Sequence, residues 1–139
     1  MNSTERLEKL KEIFDELSDI RNDQAILVEG AKDRMALALA GISGITISVQ
    51  SDGGPLKVAE RLSDERLSAV ILTDWDKEGE HIAKELERAL SSLCVRYDTK
   101  IRSKLRSVCG NEIYDIESLP AFYSRLVTES IRKKEGRNK

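Results

Sequence analysis

The feature that most constrains the fold is an uncharged apolar run followed at once by a cluster of acids. The run Ala69-Val70-Ile71-Leu72 is short and branched, which is typical of a buried strand in a parallel sheet. Four acids come directly after it: Asp74, Asp76, Glu78 and Glu80. Open α/β sheets bind ligands at the carboxyl ends of their strands, so this run predicts a functional site just beyond Leu72.

The spacing of these acids allows two interpretations. Asp74 and Asp76 flank Trp75, and extended or turning backbone lets both carboxylates point toward one spot, where a cation must offset their repulsion. Oxygen ligands of this kind favour Mg²⁺ or Mn²⁺. Alternatively, Asp76 is the N-cap of a helix, and Glu78 and Glu80 interact with the positive end of its dipole. The spacing alone does not choose between a metal site and a helix start.

A second apolar run also ends in an acid, and the two motifs together resemble those of one family. Segment 73–80, Thr-Asp-Trp-Asp-Lys-Glu-Gly-Glu, resembles the Asp-x-Asp signature of the Toprim domain in the longer form found in type IA topoisomerases. Segment 25–30, Ala-Ile-Leu-Val-Glu-Gly, resembles the first Toprim signature, an apolar strand that ends in Glu-Gly. Both motifs occur in the family's order, and the resemblance extends over about residues 23–106.

Periodicity along the chain predicts an α/β fold. An amphipathic helix at about 4–21 precedes four strands, at 25–28, 45–49, 69–72 and 94–97, and the helices that follow them at about 32–40, 55–62, 78–93 and 100–109. Such repeats are typical of a doubly wound parallel sheet with helices on both faces, and the resemblance implies the Rossmann-like Toprim architecture. We expect the strand order 2-1-3-4, because Glu29 and Asp74 share a site only if their strands are neighbours.

The C-terminal extension predicts one extended segment and one helix. Residues 113–117 alternate apolar and polar side chains, which indicates an edge strand or an extended segment. Ser118 and Pro120 then open a last helix with a continuous apolar face.

Length and composition indicate one domain. The chain has 139 residues, enough for a single core. We therefore expect a single domain over 1–139, with a Toprim core at about 23–106 and a C-terminal extension at 110–139. The net charge of −2 gives no overall attraction to polyanions. No apolar run approaches the ~20 residues that span a bilayer, and the N-terminus lacks a signal-peptide core. We expect a cytoplasmic protein without a membrane partner.

The two cysteines suggest no metal site or disulfide. Cys94 and Cys109 have no zinc-ligand spacing with His81. We expect both to be reduced residues that pack in the interior.

The Toprim resemblance implies how the acids act. Asp74 and Asp76 are implied to hold one or two Mg²⁺ ions, for which Mn²⁺ can substitute. Glu29 is implied to complete the metal site or to move a proton during phosphoryl transfer. Glu78 matches an additional acid of the topoisomerase form and either assists the metal or caps the helix. The predicted catalytic residues are Glu29, Asp74 and Asp76, and the predicted metal ligands are these three and Glu78.

The helix predicted at 100–109 has a basic outer face. Its charges, with Arg96 nearby, are the concentrated basic cluster of the folded part: Lys100, Arg102, Lys104 and Arg106. Such a cluster is suited to nucleic-acid phosphates, although most charged helix faces are only solvated. The four helix residues are the predicted nucleic-acid contacts, and a solvated face is the alternative.

The activities of the family depend on what surrounds the shared core. Topoisomerases need a nucleophilic tyrosine carried by another domain, and Tyr97, Tyr114 and Tyr123 have no such partner here. The small stand-alone Toprim proteins include nucleases, such as the ribonuclease that matures 5S ribosomal RNA, and uncharacterised archaeal proteins. The chain most resembles the archaeal group. We expect a Mg²⁺-dependent nuclease acting on RNA or DNA, alone, as a homodimer or in a larger complex. The alternative is a noncatalytic, metal-dependent module that binds nucleic acid or nucleotides within a larger complex.

Overall fold

The computed structural model describes residues 1–20 and 22–137. Arg21, the end of the predicted N-terminal helix, and Asn138 and Lys139, the end of the predicted extension, lie outside the described residues. The helices are α1 (Ser3–Ser18), α2 (Ala31–Leu39), α3 (Pro55–Glu65), α4 (Lys77–Ser92), α5 (Lys100–Cys109) and α6 (Leu119–Arg137), and the strands are β1 (Gln24–Val28), β2 (Ile45–Ser48), β3 (Ser68–Ile71) and β4 (Tyr97–Asp98). None of these helices is both long and apolar enough to cross a membrane.

The four strands form one parallel sheet in the order β2-β1-β3-β4. This confirms the predicted fold class and the predicted order 2-1-3-4. Strand β1 pairs with β2 on one side and with β3 on the other, so that Leu27 lies opposite both Ile47 and Ile71. The direction of strand addition reverses between β1 and β3. Open α/β sheets bind ligands beyond the carboxyl ends of the strands at such a point, and we call this region the crevice.

Helices cover both faces of the sheet because the strands have apolar side chains on both faces. Along β1, Ile26 and Val28 face a core that includes residues of α1, α2, α5 and α6. Ala25 and Leu27 face a second core with residues of α3 and α4. Alternate side chains point to opposite faces of a strand, so burial on both faces explains why β1 and β3 are continuous apolar runs.

The apolar face of α1 is covered within the chain. The helix begins at Asn2, whose side-chain oxygen accepts a hydrogen bond from the Glu5 N–H at 2.9 Å. Leu10 is completely buried, and α1 packs against α5 and α6. The rings of Phe14 and Tyr123 lie 5.5 Å apart across the contact with α6.

Strand β4 begins at Tyr97 rather than at Cys94, so the predicted start of this strand is wrong. Cys94 has a left-handed backbone with φ of 56°, and its N–H donates to the carbonyl of Ser91 at 3.1 Å. Backbone of this kind ends a helix. The expectation that Cys94 packs in the interior is also wrong, since it is exposed, whereas Cys109 is buried; both are free thiols.

Residues 113–117, which we call the strap, form an irregular segment instead of an edge strand. The strap is tied to the loop that follows β3. The backbone N–H of Trp75 donates to the carbonyl of Tyr114 at 2.9 Å, and the indole Nε1 of Trp75 donates to the carbonyl of Ile113 at 2.8 Å. The strap uses its carbonyls in these contacts and not in a strand ladder.

Candidate active site

The crevice brings together two acids that are 45 residues apart in the chain. The Leu72 N–H donates to the carbonyl of Leu27 at 2.8 Å, which extends the pairing of β1 and β3 to the ends of both strands. Just beyond, the Asp74 N–H donates to Glu29 Oε1 at 3.1 Å. Glu29 therefore lies directly against residues 72–76, which we call the acid loop.

Asp74 is a half-buried carboxylate whose charge is poorly offset. Its Oδ1 accepts a hydrogen bond from the Ile116 N–H of the strap at 2.9 Å. Burial raises the pKa of Asp74 to about 7; the Ile116 hydrogen bond acts against this rise, and repulsion from Glu29 adds to it. A cation close to the carboxylate would reverse the shift, because it favours the charged form.

Glu29 experiences the same forces. Burial raises the pKa of Glu29, the hydrogen bond from the Asp74 N–H lowers it, and repulsion from Asp76 raises it. Asp33 and Glu78 add smaller repulsions of the same sign. The acids predicted from the two motifs are therefore close enough to act on one another.

Asp76 is the N-cap of α4, as the helix-start interpretation proposed. Its Oδ1 accepts a hydrogen bond from the Gly79 N–H at 2.7 Å, and Glu78 and Glu80 lie in the first turn of α4. The cap does not remove Asp76 from the crevice, because its charge still contributes to the raised pKa of Glu29. The two interpretations of the spacing are thus compatible in one arrangement.

Gly79 allows α4 to begin directly against the acid loop. A Cβ atom at this position would lie 1.9 Å from the Asp74 carbonyl oxygen and 2.8 Å from Glu29 Oε1. The Gly79 carbonyl also accepts a hydrogen bond from Thr73 Oγ1 at 2.8 Å. A glycine here is a requirement of close backbone approach rather than of an unusual backbone conformation.

Arg102 holds the acid loop in place through hydrogen bonds to its backbone. Its guanidinium donates to the carbonyls of Thr73 at 2.9 Å and Asp74 at 2.7 Å. A third hydrogen bond, of 2.9 Å, reaches Glu80 Oε2 in α4. Only 8% of Arg102 is exposed, so the expectation that it lies on an outer basic face is wrong. Its planar fork of donors suits several acceptors at once.

The other three basic residues of α5 remain at the surface. Lys104 pairs with Glu16 at 2.7 Å, whereas Lys100 and Arg106 have no side-chain hydrogen bond or ion pair with the described residues. Contact of these three residues with nucleic acid stays a prediction.

Three acids near the crevice were not predicted from the sequence. Asp33 is buried, and its Oδ2 accepts a hydrogen bond from the Gly30 N–H at 3.1 Å. Burial raises the pKa of Asp33, and repulsion from Glu117 and Asp115 of the strap adds to the rise. The acid three residues after Gly30, at a helix start, can accept from the Gly30 N–H as the N3 residue of a capping box does, and this spacing could have indicated Asp33. No local signal indicates Asp115 or Glu117, because the strap reaches the crevice only through the tertiary fold.

The chemistry of the crevice fits a hard divalent cation. Its metal-binding atoms are carboxylate oxygens, and Arg102 donates to two backbone carbonyls and pairs with Glu80 rather than with the carboxylates of Glu29 or Asp74. Within residues 1–20 and 22–137, no group of three or more His, Cys, Asp or Glu side chains is arranged to hold a metal by itself. Mg²⁺ commonly binds through one or two carboxylates and retains waters or substrate oxygens. The predicted ligands Glu29, Asp74, Asp76 and Glu78 are the residues that would hold it together with such waters, and this assignment stays a prediction.

Comparisons with known proteins agree with these features. Residues 24–105 match the Toprim domain. A UPF0292 protein of Methanosarcina acetivorans is 33% identical over 87% of this chain and 84% of its own length. A UPF0292 protein of Thermococcus onnurineus is 30% identical over 95% of this chain and 96% of its own. The solved structure of a protein from Aquifex aeolicus superimposes with a TM-score of 0.67 and 27% identity, over 78% of this chain and 96% of that one.

Proposed function

Since the chain belongs to the Toprim domain family and groups with the small archaeal UPF0292 proteins, we propose that it is a Mg²⁺-dependent phosphoryl-transfer enzyme acting on nucleic acid. The reaction that its residues fit best is hydrolysis of a phosphodiester bond in RNA or DNA. Family membership supports the coarser part, a metal-dependent role connected with nucleic acid. The arrangement of the acids supports the choice of reaction.

The observation that carries the proposal is the contact between Glu29 and the acid loop. The hydrogen bond from the Asp74 N–H to Glu29 Oε1 holds a half-buried acid beside a second one, at the strand ends where α/β sheets bind ligands. Folding keeps the two carboxylates together in spite of their repulsion. Acids brought together against repulsion in a crevice are candidates for a functional site.

Each acid has a role that follows from its surroundings. Mg²⁺ held by Asp74 and Asp76 would offset the charge of the phosphate and activate water for attack. The raised pKa of Glu29 suits a group that takes a proton from that water and returns it to the departing oxygen. The Glu29 oxygen that Asp74 does not engage is the one available for this transfer. Arg102 keeps the Asp74 backbone in place.

Hydrolysis requires no nucleophile from the protein. Tyr123 packs against Phe14, and Tyr97 of β4 pairs with Ala69 and lines a cavity at the amino ends of the strands, opposite the crevice. Tyr114 on the strap is 48% exposed, and its replacement by Phe tests whether a hydroxyl nucleophile is needed. We expect Tyr114→Phe to retain turnover.

The decisive experiment compares Glu29→Gln with the wild-type protein on structured RNA, single-stranded DNA and duplex DNA in Mn²⁺ or Mg²⁺. Glutamine retains an Oε1 that can accept the Asp74 hydrogen bond, but it cannot take up a proton. Loss of general acid–base catalysis lowers turnover by about 10²- to 10⁴-fold. Glu8→Gln, which removes an exposed acid on α1 away from the crevice, is the matched control and keeps wild-type activity.

Three outcomes are informative. Turnover in the wild type and in Glu8→Gln, but not in Glu29→Gln, supports the proposal. Equal activity in all three proteins points to a contaminating nuclease and contradicts it. Binding without turnover in the wild type favours the noncatalytic module that the sequence left as an alternative.

A further inference from the structure

A shallow cleft of about 410 Å³ lies beside the acid loop. One wall is a single face of α5, formed by Ser103, Arg106 and Ser107. Trp75 of the acid loop and Tyr114 of the strap also line the cleft, with Gly110 and Asn111 between the two walls in sequence. The cleft therefore combines aromatic surface with hydroxyl and guanidinium donors, immediately next to the proposed reaction centre.

The position of Tyr114 is fixed relative to the acids. Its carbonyl accepts the hydrogen bond of the Trp75 N–H at 2.9 Å. Two residues further along the strap, the Ile116 N–H donates to Asp74 Oδ1 at 2.9 Å. The backbone alone makes these contacts, so the Tyr114 side chain is free to meet a ligand, and it is 48% exposed.

The charge of the cleft suits an anion. No Asp or Glu is among its lining residues. Arg106 is exposed, and its side chain makes no hydrogen bond or ion pair with any residue that the structure describes. Ser103 and Ser107, each within one turn of Arg106, add hydroxyl donors on the same face of α5. A phosphate at Arg106 would therefore meet no carboxylate among the residues that line the cleft.

We infer that this cleft binds one nucleotide of a single-stranded nucleic acid, with its base stacked on Tyr114 and its phosphate at Arg106. The inference rests on the proposed function and names the substrate segment next to the bond that is cut. A base stacks on an aromatic side chain only when it is released from a duplex, and such stacking tolerates any sequence. The site therefore selects single strands or unpaired loops over continuous duplex.

The test measures binding separately from cleavage. Fluorescence anisotropy of a labelled oligothymidylate is followed in EDTA, where metal-dependent hydrolysis does not occur, for the wild type, Tyr114→Ala and Tyr114→Phe. Loss of a base–aromatic stack weakens binding by about 5- to 150-fold, so we expect a loss of that size for Ala and near wild-type affinity for Phe. Tyr97→Ala is the matched control, because this partly exposed tyrosine lines a different cavity at the other end of the sheet.

Two further probes identify the ligand. An abasic oligomer with the same number of phosphates should bind the wild type as weakly as oligothymidylate binds Tyr114→Ala. Thymidine monophosphate distinguishes a free nucleotide from a strand, and it should bind far more weakly than the oligomer. The chain has one tryptophan, Trp75, so ligand entry should also change its emission. Replacing Arg106 with Gln should lower the slope of log affinity against log salt by about one.

Equal affinity of Tyr114→Ala and the wild type, or of abasic and ordinary oligomers, would overturn the inference, and so would the absence of binding to the wild type. Thermal melting of Tyr114→Ala at the wild-type temperature excludes unfolding as the cause of a loss. Tyr114-dependent binding without turnover would support the cleft while contradicting hydrolysis. If replacing Tyr114 changed neither turnover nor binding, hydrolysis would be supported and the cleft would be contradicted.

Discussion

Replacing Gly79 with Ala tests whether the acids are held by close contact between α4 and the acid loop. The added Cβ would lie 1.9 Å from the Asp74 carbonyl oxygen and 2.5 Å from its carbonyl carbon. Ordinary contact begins at 3.4 Å, so the two backbones must separate by about 1.5 Å, the difference between 3.4 and 1.9 Å. Backbone atoms cannot give way as the end of a flexible side chain can.

The expected loss of stability follows from three effects. Overpacking costs about 1–3 kcal/mol. The separation also weakens the hydrogen bonds that Gly79 makes with Asp76 and Thr73, each worth about 0.5–1.5 kcal/mol. Alanine favours a helix over glycine by about 1 kcal/mol, which offsets part of the loss. We expect the free energy of unfolding to fall by about 2–4 kcal/mol, with α4 and Asp76 displaced from Glu29.

The assay is urea unfolding followed by circular dichroism, with Gly136→Ala as the control. Gly136 also lies in a helix, but a Cβ there would have no neighbour within 4 Å. The control should be neutral or slightly stabilising. Gly79→Ala should unfold at a lower urea concentration than the wild type, while the slope of its unfolding free energy against urea concentration is unchanged. The variant should also lose turnover. If Gly79→Ala is as stable as the wild type, the close approach of α4 to the acid loop is refuted.

Three further predictions concern the metal, the Arg102 contact and the thiols. Calorimetry should show weak Mg²⁺ binding by the wild type and weaker binding by the Asp74→Asn/Asp76→Asn double variant, because carboxylates supply the charge that attracts the ion; equal affinities would leave Asp76 as a helix cap alone. The hydrogen bond from Arg102 lowers the pKa of Glu80 below its ordinary value of 4.5. The charged Glu80 therefore stabilises the folded protein above pH 4.5, and this stabilisation is lost as the pH falls through the lower pKa of the folded state. The stability difference between the wild type and Glu80→Gln should therefore shrink in acid, and a constant difference would count against the contact. Burial raises the pKa of Cys109 to about 12, so a thiol reagent should modify exposed Cys94 in the folded protein and Cys109 only after unfolding; Cys94→Ser should abolish the fast reaction.

The sequence by itself determined the parts of the structure that depend on short-range pattern. The apolar runs that end at Val28 and Leu72 predicted two buried strands, and the acids that follow them predicted a site at the strand ends. The requirement that Glu29 and Asp74 meet then led to the strand order that the sheet has. Such inferences succeed because a parallel sheet aligns the carboxyl ends of its strands. A motif that directly follows a strand therefore lies at that edge of the sheet.

Only the tertiary structure decided which side chains surround the acids. Arg102 lies two residues from Lys100 and from Lys104, which is about 200° round the helix, so it is on the opposite side of α5 from these exposed lysines. There its guanidinium donates to the carbonyls of Thr73 and Asp74, which lie far from it in the chain. The alternating pattern of the strap likewise predicted an edge strand or an extended segment, and only the fold shows that it is irregular and hydrogen-bonded to Trp75 and Asp74. Local periodicity reports which face of an element is apolar. The partner that each polar group finds depends on elements distant in the chain, because a buried donor or acceptor must be satisfied wherever the fold allows.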